Sequence, residues 1–391
     1  MTSDPATAGD RATAGDAPTG RASELDPDAL KRFSFQVFSK LDGALTAGMI
    51  HLGDRLGLFR ALADAGTPLT SDELAAATGL VERWVREWAY NQAAGGIIVA
   101  HEPDADRPPE STGGEPVRFS LTPEAVVVLA DPDHPAFGMG MFHRLPQTMR
   151  TLEDMPECFT TGVGLDYDSH GPEGAVGIER SFEPWSNACL VPVVLPELEG
   201  VLTRLDAGAT VVDVGCGAGS AVLTMAQAFP GSTFVGYDIS RYALDRAREK
   251  LTESGLTNVE FHDPREHPMA TDGSVDLVTT FDCVHDMTDP QAMMHALRAM
   301  LADDGVWLLV DIKALDTFAQ NAEKNPMAAL MYGISVLSCM SSALSEPGGA
   351  GLGTLGLPPS KAEAMARQAG FTRFRKLDID HAVNAFYELR P

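Results

Sequence analysis

The chain has 391 residues, of which 44% are apolar, enough for two cores. Fifty-five acidic residues against 29 basic ones give a net charge of -26, which argues against a nucleic-acid backbone or an anionic membrane surface as partner. Cys158, Cys189, Cys216, Cys283 and Cys339 contain no Cys-x-x-Cys pair, so a reducing, cytoplasmic setting without a metal site is expected. No N-terminal apolar run resembles a signal peptide. The apolar run Met327–Met340 is interrupted by Tyr332, Gly333, Ser335 and Ser338 and is too short to span a bilayer.

Residues 1–27 are rich in Ala, Thr, Gly, Asp and Pro, with Ala-Thr-Ala-Gly-Asp occurring twice, and read as a disordered tail. From Asp28 to Ala65 the apolar residues Phe33, Val37, Leu41, Leu45, Met49 and Leu52 recur at helical spacing. Thr70-Ser-Asp-Glu73 is a capping box that opens a short helix, and Gly79 stops it. A second helix over Val81–Tyr90 gives a helix-turn-helix. Strands at 97–100 and 117–120 flank an acid-rich tip, and Thr122-Pro123 caps a further helix. Residues 28–131 thus have a winged-helix pattern. Glu82 and Glu87 cancel Arg83 and Arg86 on the second helix, and Glu102, Asp104, Asp106, Glu110 and Glu115 dominate the tip, so dimerisation or substrate covering is preferred to DNA binding. Residues 132–205 read as a helical linker, in which Tyr167 is either a surface-loop residue or folds over a ligand.

The segment 206–391 is organised around Ala209-Thr-Val-Val-Asp-Val-Gly-Cys-Gly-Ala-Gly219. A β-branched strand, a glycine turn and a helix N-terminus make a nucleotide-type site. Asp213, two residues before the first glycine, would repel a pyrophosphate. It suits a ligand end bearing an ammonium group, such as the methionine part of S-adenosylmethionine. A second strand ends at Asp238, placed for ribose hydroxyls, and a third ends at Asp263, placed for the adenine amino group. The fourth strand, 274–281, runs into Asp282-Cys-Val-His-Asp-Met287, and the fifth is 305–311. Alternating strands and helices predict a parallel sheet, closed by a terminal hairpin from 371–378 and 384–389. An insertion, roughly 314–357, holds a Met-rich apolar helix and a glycine-rich loop; it reads equally as a substrate cover or as a core helix with a connector.

Asp-Val-Gly-Cys-Gly-Ala-Gly, Gly-Tyr-Asp and Phe-His-Asp, in this order, resemble motifs I, II and III of class I S-adenosylmethionine-dependent methyltransferases. With the winged-helix start, the Phe-Asp-Cys-Val-His-Asp segment, the Asn-Pro-Met helix and the Gly-Gly-Ala-Gly-Leu-Gly-Thr loop, the likeness extends over residues 30–391 to one bacterial branch. It implies an α/β Rossmann-like fold, a homodimer, S-adenosylmethionine as methyl donor, no metal and a small-molecule acceptor. Carried onto this chain, Asp213, Gly215, Cys216, Gly217 and Phe281 would surround the methionine end, Asp238 and Ile239 the ribose, and Asp263 the adenine. His285 lies past the fourth strand, where imidazole is suited to act as a base, and Asp286 is a candidate to orient it. The pair resembles the His-Asp-Trp motif of winged-helix O-methyltransferases, with Met287 in place of Trp; a structural histidine is the alternative. A nicotinamide oxidoreductase and a regulator with a methyltransferase-like domain are the rival readings.

Overall fold

A computed structural model describes residues 25–101 and 117–391. The expected tail lies outside the described residues up to position 24, as does the acidic tip from 102 to 116. The first helix, α1 (Pro27–Arg55), carries Leu30, Phe33, Val37, Phe38, Leu41 and Leu45 exposed. Residues up to Thr46 form a compact unit of their own, and Ala47–Pro391 form another.

The helical pattern expected to run to Ala65 is broken at Gly57, whose φ of 71° starts α2 (Leu58–Ala65). The strand β1 (Leu69–Thr70) precedes α3 (Ser71–Thr78), and the Thr70–Glu73 capping box is present. Then come α4 (Glu82–Ala94), β2 (Val99–His101), β3 (Arg118–Ser120) and α5 (Pro123–Leu129). The three strands form a small antiparallel sheet in the order β1-β3-β2. Phe59, Leu74, Ala89 and Phe119 close the core of this winged helix, and the Trp88 indole N–H donates to the Met49 carbonyl at 2.8 Å.

Short helices α6 (Met139–His143), α7 (Leu145–Arg150) and α8 (Met155–Thr161) lead to α9 (Gly171–Trp185). In the part of the helical linker after α9 the chain forms a wide π-type turn at Ser186–Val194, containing Pro192, followed by α10 (Val201–Ala207). Proline lacks the N–H that a regular α-helix needs, and the chain is wound more loosely there.

The large sheet comprises β4 (Thr210–Val214), β5 (Thr233–Tyr237), β6 (Val259–His262), β7 (Val275–Phe281), β8 (Leu301–Ile312), β9 (Arg373–Lys376) and β10 (Asn384–Arg390). Its order is β6-β5-β4-β7-β8-β10-β9, parallel except for β10, which runs antiparallel to both neighbours. The crossovers α11 (Ser220–Ala228), α12 (Arg241–Ser254) and α13 (Pro290–Met300) cover its faces. Strands buried on both faces read as continuous apolar runs, as β4 and β8 do. This is the Rossmann-like α/β sheet with a terminal antiparallel hairpin that the sequence predicts. Buried Glu179 on α9 accepts from Arg246 and Lys250 on α12, which fixes the linker helix on the sheet domain.

The insertion folds as α14 (Phe318–Lys324), α15 (Ala328–Leu337) and α16 (Cys339–Ala343), followed by the glycine-rich loop and α17 (Pro359–Gln368). The α16 helix packs against the turn at Val284–Asp286. The Gly164 N–H donates to the Leu344 carbonyl at 2.9 Å, so the linker segment before α9 lies against the same helix.

Candidate functional site

The switch point of the sheet lies between β4 and β7, where strand order reverses and α/β folds bind ligands. At the end of β4, Gly215, Gly217 and Gly219 have φ values of 74°, 55° and 74°. A Cβ on Gly215 would sit 2.7 Å from the Cys283 side chain, and one on Gly219 would sit 2.4 Å from the Phe261 ring. Nothing lies within 4 Å of a Cβ on Gly217. Two of the glycines therefore serve packing, while Gly217 leaves its backbone open to a ligand.

Asp213 is 1% exposed. The parallel register sets it opposite Thr279 on β7, whose hydroxyl donates to Oδ1 at 2.7 Å. Burial lifts its carboxyl to about 7 even against that hydrogen bond. A buried carboxyl with so little solvation is stabilised as the anion by an arriving ammonium group.

Asp238 is likewise buried, and its carboxylate accepts from the Gly217 and Ser240 N–H groups, both at 2.8 Å. It thereby holds the glycine turn. Burial raises its pKa, with the backbone donors opposing. Ile239, next in the chain, is 48% exposed and offers an apolar face. Asp263 sits differently: the Arg265 guanidinium grips both of its oxygens, at 2.6 to 3.0 Å, and holds its pKa down. Arg265 also donates to the Ile239 carbonyl at 2.6 Å, which ties the ends of β5 and β6 together. Cys216 is buried under the turn, and Phe281 closes β7 at its carboxyl end.

Past β7, Asp282 adopts φ 49°, the one non-glycine residue in the left-handed region among those described. The Asn384 amide donates to its carboxyl, and Asp282 N–H donates to Val310 carbonyl at 2.9 Å. This bend turns the chain so that Val284 is buried and the His285 ring points back over the sheet. His285 is 1% exposed, and its Nδ1 lies 2.6 Å from Asp311 Oδ1, on the neighbouring strand β8. Burial lowers the imidazole pKa most, but the Asp311 charge, its hydrogen bond and the Cys339 contact together outweigh that, and the net direction is well upward. The carboxylate at Nδ1 is thus Asp311, whereas sequence reasoning put forward the adjacent Asp286. Side chains one residue apart diverge in a tight turn, while β7 and β8 run side by side.

Asp286 remains in the site. Its carboxyl, one His285 ring nitrogen and Cys339 Sγ all lie within 4.8 Å of one another. Burial raises Asp286 to about 7. The trio has ligand types that could hold a soft cation, a grouping the sequence did not suggest because Cys339 comes from the distant α16. Tyr167 is mostly buried, and its phenol is pushed well up by burial and then by Asp286 and Asp238. It belongs to this site and not to a surface loop.

Residues 205–348 match the family described as Methyltransferase domain, and residues 44–107 the Rv2258c-like winged HTH domain. The chain is 30% identical over 155 residues to ubiquinone biosynthesis O-methyltransferase of Leptothrix cholodnii, a match covering 39% of this chain and 60% of the relative. It thus spans less than two thirds of that curated relative. The structure of mitomycin 7-O-methyltransferase MmcR is similar at TM-score 0.64 and 20% identity, over 94% of this chain and all of that one. Human N-acetylserotonin methyltransferase in complex with SAM is similar at TM-score 0.62 and 15% identity, over 95% of this chain and 99% of that one. The chain thus carries a segment that matches the Methyltransferase domain family behind one that matches a winged HTH family, in a fold shared with these structures over 94% or more of its length.

Proposed function

We propose that the protein transfers a methyl group from S-adenosylmethionine to a hydroxyl of a small, partly apolar molecule. The observation that carries this reading is buried Asp213 beside the open Gly217 backbone, a site that takes a cationic amino-acid end and repels a diphosphate. Asp213, Gly215, Cys216, Gly217 and Phe281 would surround the methionine end, Asp238 and Ile239 the ribose, and Asp263, held by Arg265, the adenine. The residues present fit the cofactor: they offer one cation acceptor, one open backbone turn and two strand-end carboxylates.

When bound, the cofactor supplies an activated methyl group and a neutral thioether leaving group. The protein then has three tasks: to orient the acceptor, to exclude water and to remove the hydroxyl proton. His285, with Nδ1 engaged by Asp311, keeps its other ring nitrogen for that proton. Asp311 stabilises the imidazolium that results, and Asp286 and Cys339 flank the ring. No step calls for a metal ion.

The exposed apolar face of α1 supports a homodimer in which a second copy covers it. The net charge of -26 speaks against nucleic acid as partner, and among the described residues no helix is long and apolar enough to cross a membrane. A cytoplasmic location is part of the same proposal, suggested by five unpaired cysteines. Calorimetric titration with S-adenosylhomocysteine and with NADH tests the central claim. Binding of the first and not the second is expected; uptake of NADH alone would overturn it.

A further inference from the structure

Arg144 is 4% exposed, yet no carboxylate of the described residues lies within 4.0 Å of its guanidinium. It donates only to two neutral hydroxyls, from Nε to Thr148 at 3.4 Å and from Nη2 to Ser338 at 3.2 Å. Partly buried arginines such as Arg180, with Asp54, and Arg246, with Glu179, make two-pronged pairs with acids. A buried cation without a counter-ion is costly unless something anionic arrives.

A second orphan stands beside it. Ser338 Oγ lies 3.1 Å from Nε2 of buried His170. The Ser338 hydroxyl, with one proton and two lone pairs, accepts from Arg144 and bonds His170 Nε2; with its proton given to Nε2, the histidine proton sits on Nδ1. That Nδ1 is buried and has no partner. Burial and the Arg144 charge hold the His170 pKa down at about 4, so the ring is neutral, and in that tautomer Nδ1 is a donor. A guanidinium and an unused N–H thus meet around one serine.

The cluster is next to the reaction centre. Ser338 directly precedes Cys339, whose sulfur is in the group with His285 and Asp286. Tyr167, edge-on to His170 with ring centres 5.3 Å apart, feels Arg144 on one side and Asp286 on the other.

We propose that Arg144 and His170, joined through Ser338, receive a carboxylate carried by the methyl acceptor, so that the substrates are small hydroxy acids, hydroxyaryl carboxylates foremost. The acceptor would be held at its anionic end by Arg144 and present its hydroxyl to His285. This rests on the methyltransferase reading. The same carboxylate chemistry is carried by the methionine end of the cofactor, and the experiment separates the two sources.

The enzyme loaded with S-adenosylhomocysteine is titrated with 3,4-dihydroxybenzoate and 4-hydroxycinnamate, each beside its neutral methyl ester. The acids are expected to bind about tenfold or more tighter than the esters, as a charge-assisted hydrogen-bonded pair allows. Arg144→Met should erase the preference, and Arg144→Lys, which keeps the charge but not the fork, should retain part of it. Should Arg144→Met not fold, the wild-type preference and the lysine variant still decide. Equal binding of acid and ester, no binding of either acid, or a preference that survives Arg144→Met overturns the proposal. So does a loss of S-adenosylhomocysteine affinity in Arg144→Met with 5′-methylthioadenosine unaffected, which would give the site to the cofactor carboxylate. Failure of the wild-type protein to bind S-adenosylhomocysteine at all would sink the methyltransferase reading instead.

Discussion

Replacing Asp311 by Asn keeps the shape of the residue and removes the charge that faces His285 at 2.6 Å. With the charge centres about 4 Å apart and an effective dielectric near 20, the lost attraction is about 4 kcal/mol. In the wild type that attraction holds the His285 pKa well above its ordinary value, so the ring is mostly protonated at neutral pH and turnover should climb as pH rises past it. In Asp311→Asn the burial, which favours the neutral ring, is opposed by the Cys339 contact alone. The acidic limb of the pH–rate profile should therefore move to lower pH.

The plateau should fall as well, by up to about a thousandfold, since the imidazolium formed during proton removal loses the same stabilisation. Stability follows the same linkage. A raised folded pKa contributes stability that is complete below the unfolded value near 6.5 and fades as pH rises through the folded value. The wild type should lose melting temperature over that alkaline window, and Asp311→Asn should not. The assay is formation of S-adenosylhomocysteine against pH with the best acceptor found, beside melting curves in the same buffers. An unmoved profile with an intact fold would refute the base assignment, and turnover of the variant equal to wild type would do so on its own.

Asp213→Asn should weaken S-adenosylhomocysteine binding by about a hundredfold or more, because it leaves the ammonium without its buried counter-charge. In the wild type, affinity should fall as pH drops below about 7, with proton release on binding visible as a buffer-dependent heat. An affinity flat from pH 6 to 8.5 would contradict this. Gly215→Ala should destabilise the fold by about 2 kcal/mol or more, from its left-handed backbone and the 2.7 Å approach to Cys283. Gly217→Ala, with open space around it, should cost only about 1 kcal/mol in stability yet impair cofactor binding more. Thermal melts and titration of both variants check the contrast. Turnover should survive prolonged dialysis against EDTA, and added zinc should inhibit through His285, Asp286 and Cys339, with Cys339→Ser relieving the inhibition.

The parts of the site readable from the sequence are those that a single loop builds. Asp213, Gly215 and Gly217 lie on one strand and its turn, and the spacing of a carboxylate to a glycine bend carries its chemistry wherever the strand is placed. Asp238 and Asp263 were legible for the same reason, as acids ending apolar runs. What the sequence hides is each partner set by register. Thr279 meets Asp213 only because β7 lies parallel to β4 with those two residues level. Asp311 meets His285 only because Asp282 takes a left-handed turn beside the end of β8.

The apolar spacing of α1 was visible, but spacing alone says which residues share a face and not what covers it; in the single chain that face is exposed. Likewise Ser338 looked like an interruption in an apolar run, and Cys339 like part of that run. They reach the site because the insertion breaks there, at a Ser338 φ of -144° and ψ of -86°, into two short helices, and the second sets its first residue against the histidine turn. Ser338, a polar residue that spoils the helix pattern, is therefore the one that meets Arg144 and His170, and its neighbour Cys339 meets His285. A polar residue within a run otherwise fit for the core has to find a partner when buried, and here the partners are side chains more than 50 positions away in the chain.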